Sequence, residues 1–357
     1  MNDDIVIIAC GSVDAVTENV QPKLTENNQW VFCLPGSFSD LVKKLISDVP
    51  AELTIHVNKV ILSSSVQDSG AKNQTFIEEK ILNKRRVKPS MALDALGVSS
   101  TSLFLNAFDN AEDIFGIDAA CATGLKSIEM AIPMVESGDV VLVATVEKPT
   151  APYFLYYFHS LNALANGGEQ YKGPFDSSRN GLAMADGGGY VMLCKRSVAR
   201  NKQLPVIATI KSVGSRAVTS LVAPSDIGKL TDFIKGVIKA SDLHVEDFSH
   251  WDAHATATPA GDIAEYDIFK QLMPQDTLLS SAKGHVGHSM AACGLVELSH
   301  SIKNLAKGIV KSNGSLYNTM VSDHRIVTAD TLTTKRSFIK TSFGFGGRNS
   351  AIVLTVE

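Results

Sequence analysis

Cys121 has a sequence context that suits covalent chemistry. It lies between small residues in FGIDAACATGLKS, and a run with helical spacing, Gly124 to Val135, follows it. Small neighbours let the backbone bend sharply between a strand and that helix. Unpaired N–H groups and positive potential at the helix N-terminus favour the thiolate, the nucleophilic form of cysteine. The segment alone leaves two interpretations open, a nucleophile or a small buried side chain, because free cysteine is often buried.

A first histidine lies in a segment that suits substrate binding. HATATPAGDIAE places His254 ahead of Thr256 and Thr258, which are followed by Pro259 and Gly261. Two hydroxyls at a spacing of two, then proline and glycine, are typical of a substrate-lining loop and not of a packed strand. A lone histidine is more often structural than catalytic, but this context favours a catalytic one.

A second histidine lies in a glycine-rich turn. SSAKGHVGHSMAACGLVE places Lys283, His285 and His288 ahead of a helix rich in small residues. The two histidines are three residues apart, but no cysteine or carboxylate cluster lies at metal-ligand spacing, so we predict no metal site. A hydrogen-bond donor or general acid–base role is favoured, because imidazole can fill that role near neutral pH.

The glycine-rich segment TSFGFGGRN near the C-terminus lets the backbone approach a ligand closely, because glycine has no Cβ. A nucleotide-binding loop is the alternative interpretation. Its context excludes it, because GFGGRN leads into the strand-like SAIVLTV and not into a helix.

The rest of the chain supplies elements that position these segments. Strand-like and helical runs alternate, which predicts an α/β architecture with sheets covered by helices. The polar stretch 196–205 separates a half at 1–200, with Cys121, from a half at 201–357, with the two histidines. In each half a strand leads through a turn into a helix, at Cys121 and at His288. Two similar halves that face each other would bring these turns together.

Composition narrows the class of protein. The 357 residues are 45% hydrophobic and 20% charged, with a net charge of -4, which gives no reason to expect nucleic acid or an anionic membrane as partner. No apolar segment reaches membrane-spanning length, and MNDDIVIIACGSV resembles a first strand more than a signal peptide. Five scattered cysteines without CxxC spacing indicate a reducing compartment, so we expect a cytoplasmic protein.

In order and spacing, these segments resemble the elongating β-ketoacyl-ACP synthases (the KAS I/II class) of fatty-acid and polyketide synthesis, from about Lys88 onward. Cys121 matches the family's nucleophile, and His254 matches the histidine that opens its HGTxTPxGDxxE motif. Lys283 and His288 match its K-x4-H pattern. The remaining matches are the downstream glutamate Glu297, Phe343 and Phe345 of the FGFGG loop, and Pro174, Phe175, Asp176, Arg179 and Gly181 of PFDxxRxG.

This resemblance implies a thiolase-like fold, in which two similar α/β halves form a layered α-β-α-β-α core. It implies an acyltransferase that condenses an acyl group on Cys121 with a malonyl-type extender, with loss of CO2. The substrates would be carried on the phosphopantetheine of an acyl carrier protein, and no cofactor would be bound. His254 and His288 would stabilise the enolate, and the backbone N–H groups of Cys121 and Phe345 would hold the oxyanion.

The resemblance assigns supporting roles to other residues. Lys283 and Glu297 would fix charge and orientation around the histidines, and Thr256 and Thr258 would bind the phosphopantetheine arm. Phe343, Phe345 and Leu182 would line the substrate site. His285 matches no catalytic position, although it is closer to Lys283 than His288 is.

The sequence also departs from the family's pattern. HATAT replaces HGTxT, GGRN replaces GGTN, and Leu182 replaces the usual phenylalanine beside the nucleophile. Cys121 lies several dozen residues earlier than usual, which indicates a reduced N-terminal cap over the acyl pocket and dimer surface. Acyl chain length is therefore not implied.

The same residues argue against three related roles. A degradative thiolase would carry a second cysteine in SFGFGGRNS, and an initiating synthase would have asparagine where His288 stands. A chain-length-factor-like partner subunit usually loses the nucleophile. The presence of Cys121 and both histidines favours an active enzyme over that alternative.

Partners follow from the resemblance. The acyl carrier protein is acidic, and a basic run matches the family's docking surface in position, although a solvated loop is the other interpretation. The apolar stretch LGVSSTSLFLNAFDNAEDIFGIDAAC predicts a dimer, either a homodimer or a heterodimer with a chain-length-factor-like subunit. The residues of the basic run are Lys84, Arg85, Arg86 and Lys88.

Overall fold

A computed structural model of the chain describes residues 3–65, 98–136, 138–218 and 226–357. The predicted docking run Lys84, Arg85, Arg86 and Lys88 lies outside these described residues. Of the helices that are described, none combines the length and the apolar character needed to cross a membrane.

Strands alternate with helices along both halves, as predicted. The strands are β1 (Ile5–Val13), β2 (Lys23–Leu24), β3 (Trp30–Phe32), β4 (Lys59–Ser63), β5 (Asp113–Phe115), β6 (Val141–Glu147), β7 (Met184–Ala185), β8 (Gly187–Lys195), β9 (Ala208–Ala217), β10 (Phe248–Asp252), β11 (Leu278–Ser280), β12 (Ile309–Val310), β13 (Thr331–Leu332), β14 (Ser337–Gly344) and β15 (Arg348–Val356). The α-helices among the described residues are α1 (Phe38–Asp48), α2 (Ala51–Thr54), α3 (Val98–Leu105), α4 (Thr123–Glu136), α5 (Pro152–Ser160), α6 (Arg196–Lys202), α7 (Ile227–Ala240), α8 (Pro259–Leu272), α9 (Lys283–Val286) and α10 (Cys293–Leu305).

The two halves have the same sheet topology. Ten strands form one hydrogen-bonded sheet in the order β11-β10-β14-β15-β9-β1-β8-β6-β4-β5. Each half contributes five described strands to this sheet. Numbering those five along the chain gives the order 3-2-4-5-1 for both β5-β4-β6-β8-β1 and β11-β10-β14-β15-β9. In each half, strand 2 pairs in parallel with strands 3 and 4, and strand 5 pairs antiparallel with strands 4 and 1. The prediction of two similar halves is confirmed by this repeat. The boundary at residue 200 stays a prediction.

Alternation along the strands builds the layers, because successive side chains point to opposite faces of a sheet. In β1, Val6 and Ile8 pack against α1 in one hydrophobic cluster, and Ile7 packs against α4 and α10 in another. In β15, Ala351 and Val353 pack against α7 and α8. Ile352 and Leu354, on the other face of the strand, pack against α4 and α10. Each half of the ten-stranded sheet is thus covered on both faces, and the predicted α-β-α-β-α layering is confirmed.

The central helices α4 and α10 touch through glycine. A Cβ on Gly124 would lie 3.0 Å from the backbone nitrogen of Leu295, and one on Gly294 would lie 3.3 Å from that of Leu125. These reciprocal contacts are expected where two similar halves face each other. They bring together the two turns from which the helices begin.

The strand β8 approaches α10 even more closely, at Gly189. A Cβ on Gly189 would lie 2.7 Å from the backbone nitrogen of Val296. We expect Gly189→Ala to lower the free energy of unfolding by about 1–3 kcal/mol, because backbone must shift to make room. Gly236→Ala is the matched control: its Cβ would meet nothing within 4 Å, and in the exposed interior of α7 it should stabilise by about 0.5–1 kcal/mol. Denaturant unfolding measures both, and equal stability of the two variants would contradict the close packing.

Candidate active site

Cys121 lies in a tight turn that its neighbours hold in place. A 3-10 turn, Ala120–Ala122, precedes α4, and Ala120 has a left-handed φ of 50°. The Asp118 carboxylate accepts a hydrogen bond from the Ala120 N–H at 2.8 Å. The Thr123 hydroxyl accepts from the Ala119 N–H at 2.8 Å and donates to the Ala120 carbonyl at 2.7 Å. The predicted strand–turn–helix setting of Cys121 is confirmed.

The second half repeats this turn at Met290–Ala292, ahead of α10. Met290 also has a φ of 50°, and each left-handed residue lies four positions before the glycine of the helix contact. Ala291 is therefore the residue of the second turn that corresponds to Cys121, and His288 lies two residues before this turn.

The three residues predicted to react are close together. One ligand atom each of Cys121, His254 and His288 lies within 4.8 Å of the other two, and all three side chains are buried. The two imidazole rings are edge to face, with centroids 5.4 Å apart. They lie on a cavity of about 320 Å³.

The predicted substrate residues line the same cavity. They are Leu182, Thr256, Thr258, Phe343 and Phe345.

Hydrogen bonds set the tautomer of both histidines. The Met290 N–H donates to Nδ1 of His288 at 3.2 Å, so the ring proton belongs on Nε2. Nδ1 of His254 lies 3.4 Å from the Lys283 ammonium, which has only protons to donate, so Nε2 of His254 also carries its proton. Both imidazoles are thereby prepared as N–H donors.

Glu265 holds the loop that carries His254. Its carboxylate accepts hydrogen bonds from the backbone N–H groups of His254 at 3.0 Å and of Ala255 at 2.8 Å. It also accepts from the Trp251 indole at 3.0 Å and from the Thr341 hydroxyl at 2.5 Å. Four donors on one buried carboxylate fix the position of His254 at the end of β10.

A buried ionic network lies behind the histidines. The Lys283 ammonium is 2.7 Å from Glu297 Oε1, and the Lys340 ammonium is 2.5 Å from Glu297 Oε2. Lys340 also lies 3.3 Å from Asp252, whose other oxygen accepts from the Ser301 hydroxyl at 2.7 Å. Two ammonium groups and two carboxylates thus balance each other out of contact with water.

Burial controls the protonation of the reactive groups. It raises the pKa of the Cys121 thiol to about 12, although Lys283 and the backbone N–H groups of Phe345 and Cys121 act to lower it. The expectation that the helix N-terminus makes Cys121 a thiolate is therefore wrong for the resting protein, because desolvation outweighs it. Burial, then the nearby Lys283 charge, lowers the pKa of His254 and of His288 well below the ordinary value.

His285 takes no part in this site. Its Nε2 lies 2.8 Å from the Ser312 carbonyl oxygen, and its side chain borders other cavities.

We did not predict Lys340, Asp252 or a role for Glu265 from the sequence. One local signal was available: SFIKTSFG carries a lysine within a segment that otherwise suits a buried strand. A charged residue fully buried in a strand requires an ionic partner. The partners lie in β10 and α10, far away in the sequence.

Comparison with known proteins identifies the family. A model of the β-ketoacyl synthase N-terminal domain matches residues 105–199, and one of the C-terminal domain matches residues 206–316. The chain belongs to the β-ketoacyl synthase family.

Curated relatives agree with this assignment. The chain is 27% identical to 3-oxoacyl-[acyl-carrier-protein] synthase 2 of Vibrio cholerae over 251 residues, which cover 66% of this chain and 61% of the relative. It is 25% identical to a putative polyketide β-ketoacyl synthase of Streptomyces virginiae over 249 residues, which cover 67% of this chain and 59% of the relative. The match thus spans about three fifths of each relative's length.

Two solved structures with the same fold are ketosynthases. A ketosynthase of a type II polyketide synthase, solved with its acyl carrier protein, superposes with a TM-score of 0.85 at 18% identity and 100% coverage of both chains. A β-ketoacyl synthase of Burkholderia phymatum gives 0.82 at 17% identity, covering 99% of this chain and 100% of the other. The predicted thiolase-like fold of this β-ketoacyl synthase family member is confirmed.

Because the pKa of His254 and that of His288 are both lowered, both rings should stay neutral near neutral pH. Across about pH 8 to pH 6, we expect the ring ¹⁵N signals of His254 and His288 to remain those of neutral imidazole, although a free histidine titrates near 6.5. Signal loss in His254→Gln and His288→Gln assigns the resonances. A titration midpoint at or above the ordinary value for either ring would contradict the buried site.

Proposed function

We propose that this chain is a β-ketoacyl synthase that catalyses decarboxylative Claisen condensation of a Cys121-bound acyl group with a malonyl-type extender. One observation carries the proposal: a buried thiol and two neutral N–H-donating imidazoles meet at one cavity. This set suits acyl transfer to sulfur followed by stabilisation of an enolate. Membership of the β-ketoacyl synthase family supports it.

In the first half-reaction, Cys121 takes the acyl group from a carrier thioester. The thiol gives up its proton as sulfur attacks, and the departing carrier sulfur takes up a proton, so the exchange leaves the net charge of the site unchanged. A new C–S bond forms to Cys121, and the carrier thiol leaves. The backbone N–H groups of Cys121 and Phe345 approach the sulfur and suit an oxyanion hole, because both already lower the pKa of the thiol.

In the second half-reaction, a malonyl-type thioester occupies the cavity. The Nε2–H groups of His254 and His288 donate to its carbonyl oxygen, so that the electron pair of the breaking C–CO2 bond is held as an enolate. The enolate carbon attacks the acyl carbonyl, and the C–S bond to Cys121 breaks. The sulfur then regains a proton.

The threonines suit the arm that delivers both substrates. Thr256 Oγ1 and Thr258 Oγ1 lie 3.0 Å apart on the cavity wall, where they can hydrogen-bond a phosphopantetheine amide. Leu182, Phe343 and Phe345 give the apolar part of the wall, and Phe345 stacks on Phe158 of α5 with centroids 5.7 Å apart. Lys283 and Glu297 orient the histidines.

Partners and location are part of the proposal. We infer an acyl carrier protein as the donor of both substrates and a homodimer or heterodimer as the assembly. The docking run Lys84, Arg85, Arg86 and Lys88 stays a prediction. All five cysteines are free thiols, which supports a reducing compartment such as the cytoplasm.

One observation supports the alternative role, that of a chain-length-factor-like partner subunit. The chain shares its fold with a ketosynthase/chain length factor structure, at a TM-score of 0.84 and 14% identity. The proximity of Cys121 to two tautomer-fixed histidines, with ligand atoms within 4.8 Å of one another, favours the active subunit.

The nucleophile is tested by loading. Cys121→Ala should abolish acylation by an acyl-carrier thioester, because the attacking sulfur is gone. Cys33→Ala is the matched control, since Cys33 is more exposed but carries no proposed role. Intact-protein mass spectrometry measures the adduct. Normal loading of Cys121→Ala, or loss of loading only in Cys33→Ala, would refute the assignment.

The histidines are tested by decarboxylation of malonyl-carrier. His254→Ala and His288→Ala should each lower the rate by about 10²-fold or more, because each removes one donor to the enolate. His285→Ala should have a much smaller effect, since its ring is bonded to the Ser312 carbonyl outside the site. Release of labelled CO2 gives the rates, and an equally large loss in His285→Ala would show that the wrong histidine was chosen.

A further inference from the structure

Lys340 is a lysine in a setting typical of a metal ion. It lies in β14 and is fully buried. Its Nζ lies 2.5 Å from Glu297 Oε2, 3.2 Å from the Ala253 carbonyl oxygen, 3.3 Å from Asp252 Oδ1 and 3.4 Å from the Asp252 carbonyl oxygen. Carboxylates and carbonyls are the ligands that hard cations prefer in proteins. The ammonium occupies the centre of an all-oxygen shell.

The charge of Lys340 is needed for the network to balance. Glu297 is shared between Lys340 and Lys283, and Asp252 has Lys340 as its ionic partner with Ser301 as a neutral one. Removing the ammonium would leave two buried carboxylates against Lys283 alone. Buried charges without partners are strongly disfavoured, so the remaining groups would have to move, gain protons or admit a cation.

This network reaches the reacting groups through Lys283. Lys283 is paired with Glu297 and lies 3.4 Å from Nδ1 of His254, where it sets the tautomer. Lys340 also holds the carbonyls of Asp252 and Ala253, the two residues directly before His254. Burial and Lys283 are the main causes that lower the pKa of both catalytic histidines, and the charge of Lys340 acts in the same direction.

We propose that Lys340 is a positioning residue whose ammonium acts as a covalently tethered cation. It holds in place Glu297, and through it Lys283, and also the backbone directly before His254. The oxygen shell is then a cation site that accepts a small exogenous cation once the side chain is shortened. Its catalytic consequence rests on the proposed function, because it acts on the histidines that would stabilise the enolate.

The experiment compares two half-reactions in Lys340→Ala. Decarboxylation of malonyl-carrier should fall by roughly 10–100-fold, as for other residues that orient a reactive group. Acyl loading of Cys121 should fall by a much smaller factor, because His254 is needed chiefly for the enolate. Ammonium or methylammonium chloride should restore much of the decarboxylation. Tetramethylammonium chloride at equal concentration, too large for the shell, should not.

Lys340→Met is the matched control, because its side chain fills the space without a charge. It should lose decarboxylation as Lys340→Ala does but show no rescue by ammonium. Equal loss of both half-reactions in Lys340→Ala without rescue would mean a merely structural lysine, and unchanged decarboxylation would also overturn the proposal. Should neither single variant fold, Lys340→Met with Asp252→Asn keeps the charge balanced. If that double variant decarboxylates malonyl-carrier at the wild-type rate, the proposal is overturned.

A readout independent of activity separates this proposal from the proposed function. If the wild-type chain does not decarboxylate malonyl-carrier, the proposed function fails, but the cation site can still be tested by histidine NMR. In Lys340→Ala the ring signals of His254 should shift and titrate at higher pH, since one positive charge is lost. Ammonium should return them toward the wild-type positions. Signals that neither change in the variant nor respond to ammonium would overturn the cation site.

Discussion

The contact between α4 and α10 is the constraint on which the site depends. Each helix begins at a left-handed turn, and each offers a glycine to the other's backbone. Because the two helices cross at van der Waals distance near their N-terminal ends, the turn with Cys121 and the segment ending in His288 must meet. The duplicated 3-2-4-5-1 topology brings the helices into this central layer, with one half of the ten-stranded sheet on either side. Chemistry on this fold therefore arises where the two halves differ, with Cys121 on one turn and Ala291 on the other.

Burial gives the site its electrostatic character. A shallow site would leave the thiol and imidazoles near their ordinary pKa values, whereas here desolvation raises the pKa of Cys121 and lowers that of both histidines. Neutral groups can donate and accept hydrogen bonds without placing a charge in the buried site. The nearby charges include the network of Lys283, Glu297, Lys340 and Asp252, where each ion has a partner. They also include Glu265, whose carboxylate accepts four hydrogen bonds. Within that network, Lys283 acts on the site through its contact with His254.

The elements that depend on neighbouring residues were predicted from the sequence. The helix after Cys121 and the turn before α10 follow from apolar spacing and small residues. The resemblance identified Cys121, His254 and His288, and it distinguished His288 from His285. The resemblance predicted Lys283 and Glu297, but the pairing of Lys340 with Asp252 and Glu297 was not predicted. These side chains come from segments that only the sheet order and the crossing of α10 bring together. The protonation of Cys121 was misjudged for the same reason: helix position is readable in a sequence, whereas the depth of burial depends on the complete fold.

The proposed function requires this site to form a carbon–carbon bond at Cys121. To test this, the purified chain is supplied with an acyl-carrier thioester and a ¹³C-labelled malonyl-carrier thioester, and the carrier-bound product is identified by mass spectrometry. We expect a β-ketoacyl thioester two carbons longer than the acyl donor, with label retained from the extender and no such product from Cys121→Ala. Acyl transfer and CO2 release without any lengthened product, or lengthening that persists without Cys121, would contradict it.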